Sequence, residues 1–164
     1  MKYCKDTTLH HHLVRRYQSE VELLKNIFVE EGGTATSFND EKALNLDKIE
    51  IKRCAQEKSS LNPTMDFAMG ISDFGKKGQM LLVELKFRIK HPLNLKKEDI
   101  ESKIKYSVDN LLLHDTRICK EKIVLFNKKV APVANSYFQR EYYRYKKEPP
   151  FIVMSEQEFK TEYF

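Results

Sequence analysis

Residues 64–89 read TMDFAMGISDFGKKGQMLLVELKFRI, and their reading decides the fold. Two strand-like runs, 64–71 and 79–89, flank the short polar connection Ser72-Asp73-Phe74-Gly75-Lys76-Lys77-Gly78. Two glycines in so short a link are the mark of a β-hairpin. Around Met80 to Phe87 the second run carries leucine and valine at both parities, as a central strand covered on each face does. Within it Glu84 and Lys86 stand two apart, so both project to one face. A fold about Gly75 sets positions summing to 150 opposite one another, which puts Asp66 across from Glu84.

Outward from the hairpin, residues 13–31 place Leu13, Val14, Tyr17, Val21, Leu24, Ile27 and Phe28 at helical spacing, and Gly32-Gly33 ends that helix. Residues 34–47 read as loop, and residues 48–54, with Ile49 and Ile51 in alternation, as a first strand. After the hairpin comes a helix at about 96–114 with Ile100, Ile104, Val108, Leu111 and Leu112 on its stripe, then a buried strand within 121–130. A helix over 133–145, a strand at 151–154 and a last helical turn opened by Ser155 with Glu158 as a capping box complete the chain. The order α-β-β-β-α-β-α-β-α implies an α/β fold, a mixed sheet flanked by helices in a single domain over 1–164, with its core at about 13–130 and an extension over 131–164.

Composition narrows the class. At 164 residues and 41% hydrophobic, the chain has the material for one packed core. No apolar run approaches the roughly 20 residues of a membrane span, so no membrane role is expected. Cys4, Cys54 and Cys119 are scattered and odd in number, which argues against a disulfide framework or cysteine zinc site and for a reducing cytoplasm. A net charge of +5 permits a polyanionic partner without requiring one.

A buried glutamate and lysine on a central strand cost free energy unless paired or used. Asp66 and Glu84 on facing strands are close enough to share one hard cation such as Mg²⁺. On a helical wheel Glu20 falls at about −20° from Leu13, within the arc of Ile27 and Leu24, so a third carboxylate faces inward. The bland readings are a structural ion pair for Glu84 and Lys86, a strand-opening aspartate for Asp66, a surface glutamate for Glu20, and turn chemistry for Asp73.

Glu20, Asp66 and the triplet Glu84-Leu85-Lys86, in this order of elements, resemble the PD-(D/E)xK nuclease superfamily, the restriction-endonuclease-like fold. The resemblance covers about 13–126; proline departs from the motif by standing three residues before the aspartate, at Pro63. It implies a metal-dependent nuclease hydrolysing phosphodiester bonds of DNA, with RNA as another substrate class. Asp66, Glu84 and Glu20 would hold Mg²⁺ or Mn²⁺, Lys86 would be the catalytic lysine and Glu20 an auxiliary acid. Arg88, Lys90, Lys103 and Lys105 sit where a phosphate track would run, and Arg140 and Arg144 lie among tyrosines as in single-strand binders; their bland reading is a solvated face over packed aromatics. The competing function is a non-catalytic nucleic-acid or protein interaction module on the same scaffold. With little chain beyond the core, a homodimer or larger partner would have to supply sequence specificity. His10-His11-His12 reads as a solvated helix start.

Overall fold

The computed structural model describes residues 1–34, 38–73, 76–111 and 117–164, with backbone alone at 110 and 111. The elements run β1 (Lys2–Tyr3), α1 (Lys5–Leu9), α2 (His12–Arg16), a 3₁₀ turn (Gln18–Glu20), β2 (Val21–Leu23), α3 (Leu24–Glu30), β3 (Lys42–Asn45), α4 (Leu46–Glu57), β4 (Phe67–Ser72) and β5 (Gln79–Leu85). A 3₁₀ turn (Pro92–Asn94), α5 (Lys97–Tyr106), a π turn (Ser107–Leu111), β6 (Ile118–Phe126), α6 (Ala131–Tyr143), β7 (Ile152–Ser155) and α7 (Glu156–Tyr163) follow.

One mixed seven-stranded sheet holds them, in the order β2-β3-β4-β5-β6-β7. Strand β1 shares with β3 the outer edge of β4, taking Ile71 and Ser72 while β3 takes Phe67 and Ala68. Strands β2 to β5 are antiparallel neighbours, and β6 and β7 lie parallel to β5 and to each other. The hairpin register is the expected one, with Phe67 opposite Val83 and Met69 opposite Leu81. Its turn at Phe74 and Gly75 lies outside the described residues, as do Leu112 and His114 of the expected 96–114 helix.

The pleat sorts side chains by parity. Phe67, Met69, Leu81, Val83 and Leu85 pack under α3 and α7, against Leu24, Ile27, Phe28, Phe159 and Tyr163. Ala68, Met80 and Leu82 face the other way, against Leu46 and Ile49 of α4 and Ile104 of α5. Val124 and Phe126 join α6 through Ala134, Phe138 and Tyr142. Even-numbered Asp66, Glu84 and Lys86 therefore belong to the α4/α5 side. None of the helices among the described residues is long and apolar enough to cross a membrane.

Three expectations fail. The helix over 13–31 is broken into α2, a 3₁₀ turn, β2 and α3. Its apolar spacing is real, since Leu13, Tyr17, Leu24, Ile27 and Phe28 are all buried, but pairing of Val21 with Leu44 across β2 and β3 outweighs local helix continuity. Gly32 ends α3 at φ +85°, as anticipated. The 34–47 loop contains β3, which reads as loop only because its four residues follow a polar stretch. Residues 48–54 form helix, not strand. Ile49 is fully buried and Ile51 is 54% exposed, the opposed pointing that two helical residues adopt. Asn45 caps α4 by accepting from the Lys48 amide, and Lys58 closes it in the left-handed region. The capping box of Ser155 and Glu158 is present at α7.

Candidate active site

One residue beyond the paired Phe67 and Val83, the hairpin sets Asp66 beside Glu84. The Leu85 amide donates to Asp66 Oδ2, and the Asp66 carbonyl accepts from Leu46 at 3.0 Å, so both halves of the residue are anchored by backbone. Thr64 donates to Asp47, and Met65 N–H donates to Ser107 Oγ at 2.9 Å, tying the segment before Asp66 to the helices above it. Glu84 is fully buried and Asp66 only 6% exposed.

Two lysines converge on the pair. Lys86, just past the end of β5, reaches Glu84 Oε1, and Lys103 Nζ reaches that oxygen from α5 at 2.6 Å. Lys103 also lies 3.5 Å from Asp66 Oδ1. Glu84 Oε2, by contrast, is buried with no hydrogen-bond partner among the described residues. Burial and the neighbouring Glu84 push the Asp66 carboxyl up to about 8, against the pull of Lys103 and the Leu85 amide. The Lys103 ammonium is raised above its ordinary value by Glu84 and Asp66, which outweigh its own burial.

Sequence reasoning put Lys103 on a phosphate track, and it missed that lysine's place between the carboxylates. No sequence signal singled it out: on the α5 wheel Lys103 stands about 60° outside Ile100 at one end of the apolar stripe, and Lys105 about 60° outside Val108 at the other. Glu20 is buried as expected, but in the 3₁₀ turn instead of a helix. It pairs with Lys52 and accepts from Ser19 at 3.0 Å. Burial raises its carboxyl, yet these bonds win and leave it below its usual value. The expected convergence of Glu20 with Asp66 and Glu84 is not observed: among the described residues no group of three or more His, Cys, Asp or Glu could hold a metal ion. The acids that share a cleft with Asp66, about 170 Å³ in volume, are Glu30, Glu31 and Asp47.

The remaining basic residues are dispersed. Arg88 donates to the Glu30 carbonyl at the end of α3. Lys90 and Lys105 are exposed, as are Arg140 and Arg144, the latter 2.8 Å from Glu141. Around them Phe138 and Tyr142 are buried while Tyr143 is 82% exposed, so the aromatic set divides between core and surface. Asp73 pairs with the Met1 amino group and Lys76, both at 3.2 Å, in keeping with a turn role. His11 is buried, not solvated: it caps α2 by accepting from the Leu13 amide, and burial drives its pKa down to about 4. All three cysteines are free thiols.

Two carboxylates, one with a buried oxygen that has no partner among the described residues, are the donor type that a hard ion such as Mg²⁺ takes, since it keeps several waters and needs few protein ligands. Comparison of the chain with protein-family models, curated proteins and solved structures returns no match in any of the three.

Proposed function

We propose that this protein is a metal-dependent nuclease hydrolysing phosphodiester bonds of DNA, with Asp66 and Glu84 as the ligands of Mg²⁺ or Mn²⁺. The observation that carries the reading is the buried carboxylate pair that the β4–β5 hairpin sets side by side, with Glu84 Oε2 unpartnered among the described residues and Lys86 two residues along. The succession α3, β3, β4, β5, α5, β6 supports it, because it follows the restriction-endonuclease-like order with α4 interposed.

A bound divalent ion would lower the pKa of a water and neutralise charge on the transferring phosphate. The Leu85 amide positions Asp66 Oδ2 in advance, whereas Glu84 would have to exchange a lysine contact for the ion. Lys86 brings a positive charge to the rim of the pair, where it can hold the attacking water or an anionic phosphate oxygen. Glu20, engaged with Lys52, stands outside this ligand set. Asp47 and Glu30, which line the Asp66 cleft, are likewise engaged, by Thr64 and Lys48, so the reading rests on the pair Asp66 and Glu84.

The test is cleavage of supercoiled, linear, branched and single-stranded DNA, and of RNA, with Mg²⁺ or Mn²⁺. Turnover should stop on chelation and fall at least about 10²-fold in Asp66→Asn. A second reading, a non-catalytic interaction module, draws on the fact that Lys86 and Lys103 already compensate Glu84. Nucleic-acid binding in EDTA without metal-dependent cleavage of any of these substrates would establish that reading instead.

A further inference from the structure

The two carboxylates already have a cation between them. Of the two acids Lys86 contacts Glu84, from two positions along the same chain. Lys103 comes from another element, α5, and bridges both acids, at 2.6 Å from Glu84 Oε1 and 3.5 Å from Asp66 Oδ1. An ion ligated by an oxygen of each carboxylate would need the space that this ammonium fills. Lys86 already lies on the same Glu84 oxygen, and like charges that close repel in a site shielded from water, so a divalent charge added there favours departure of the Lys103 ammonium. Without either, Glu84 would be a fully buried carboxylate compensated by Lys86 alone, which is costly.

We propose that Lys103 is a resident monocation that occupies the Asp66–Glu84 site until a divalent ion displaces it, so that metal entry and release of the Lys103 ammonium are one exchange. The proposal rests on the metal-site reading above and names its regulation. Glu84 Oε2 is the oxygen an incoming ion gains. Lys103 holds Oε1, and Oε2 is buried with no partner among the described residues, so the ion takes it as the lysine swings out and opens the site. The Lys103 side chain retains 25% exposure, so its released end has solvent to move into.

The experiment measures Mn²⁺ binding by the full chain, from the loss of the free-ion electron paramagnetic resonance signal. Lys103→Met keeps most of the stem and deletes the competing charge. It should bind Mn²⁺ about tenfold tighter than wild type, or more. Equal or weaker binding by the variant, with wild type still binding, overturns the exchange and leaves the metal site standing. No binding by either protein overturns both readings. Wild-type affinity retained in Asp66→Asn places the ion elsewhere and does the same. A measurement on wild type alone guards against a variant that does not fold. Lys103 acylation by an amine-reactive reagent, read by peptide mass spectrometry, should be slow in EDTA and rise several-fold at saturating Mg²⁺, while Lys52 stays constant. A Lys103 rate unchanged by Mg²⁺ overturns the proposal.

Discussion

Asp66 is the residue at which burial and charge are hardest to reconcile. Its neighbour Glu84 receives both lysine ammoniums within hydrogen-bonding distance, while Asp66 has Lys103 only at 3.5 Å and one backbone N–H. Burial first and Glu84 second therefore hold its pKa up to about 8. The folded protein then binds a proton that the unfolded chain, with an ordinary aspartate, gives up near pH 4. Stability from the protonated form is fully present below that pH and is lost as pH rises through about 8. In EDTA, urea unfolding should show stability declining across this window by as much as about 1.4 kcal/mol per pH unit from this one site. Asp66→Asn should flatten that part of the profile; an unchanged slope would mean that the proton sits elsewhere. Lys86 invites a different comparison. On the nuclease reading proposed above, Lys86→Met should bind Mn²⁺ and DNA yet cut about 10²-fold more slowly, since the charge it loses would act on the transition state. Wild-type turnover at saturating Mg²⁺ would remove it from the reaction.

At the scale of elements, α4 and α5 cover the site and are joined by a second buried acid. Glu50 of α4 is 1% exposed and is engaged by Arg53, Cys54, Asn62 and Tyr106, the last closing α5. Burial raises its carboxyl, but the bonds from Arg53 and Asn62 prevail and bring it to about 2. Its contribution is present above the unfolded glutamate value and disappears as pH falls through about 2. Glu50→Ala removes the acceptor shared by Arg53, Asn62 and Tyr106, leaving Arg53 to Glu57 and Tyr106 to Asn62, and should cost about 2 kcal/mol in urea unfolding at neutral pH. A loss below about 1 kcal/mol would show that the cluster does not join the helices. Against such tertiary ties, local pattern decides some elements and not others. The β4–β5 register, the place of β5 inside the sheet and the α7 cap were legible because each follows from alternation, turn chemistry or a capping pair within a few residues. Strand β2 and the α4 helix were not. Val21 is drawn into the sheet by a partner 23 residues away, and the Ile49–Ile51 alternation imitates a strand because β-branched residues favour one. The site split in the same way: Asp66, Glu84 and Lys86 follow from one hairpin register, whereas Lys103 depends on how α5 docks over it.

For the whole molecule, the question is how a charge of +5 spread over 164 residues would engage a phosphate backbone. The expected track is not one stripe. Lys103 is committed to the carboxylates, Arg88 to the Glu30 carbonyl and Arg144 to Glu141, which leaves Lys90, Lys105 and Arg140 exposed and without a side-chain partner among the described residues. Each phosphate neutralised by a cation releases condensed counterions, so the logarithm of affinity falls against the logarithm of salt by about 0.9 per contact on duplex DNA. A single substitution at a contacting residue should therefore lower affinity and also reduce the salt slope by about one unit. Lys90, four residues beyond Lys86 on the chain leaving β5, is the strongest candidate, and Lys90→Ala should do both. Arg144→Ala should change the slope less, because its guanidinium already has a carboxylate 2.8 Å away and brings less free charge to the DNA. The measurement is fluorescence anisotropy of a labelled duplex over a salt series in Ca²⁺, chosen to favour binding over turnover. If Arg144→Ala reduces the slope and Lys90→Ala does not, the DNA lies across α6 instead of the end of β5, and the strand would pass the carboxylates at a distance. In that case hydrolysis at Asp66 and Glu84 would require a second protein to bring the phosphate to them.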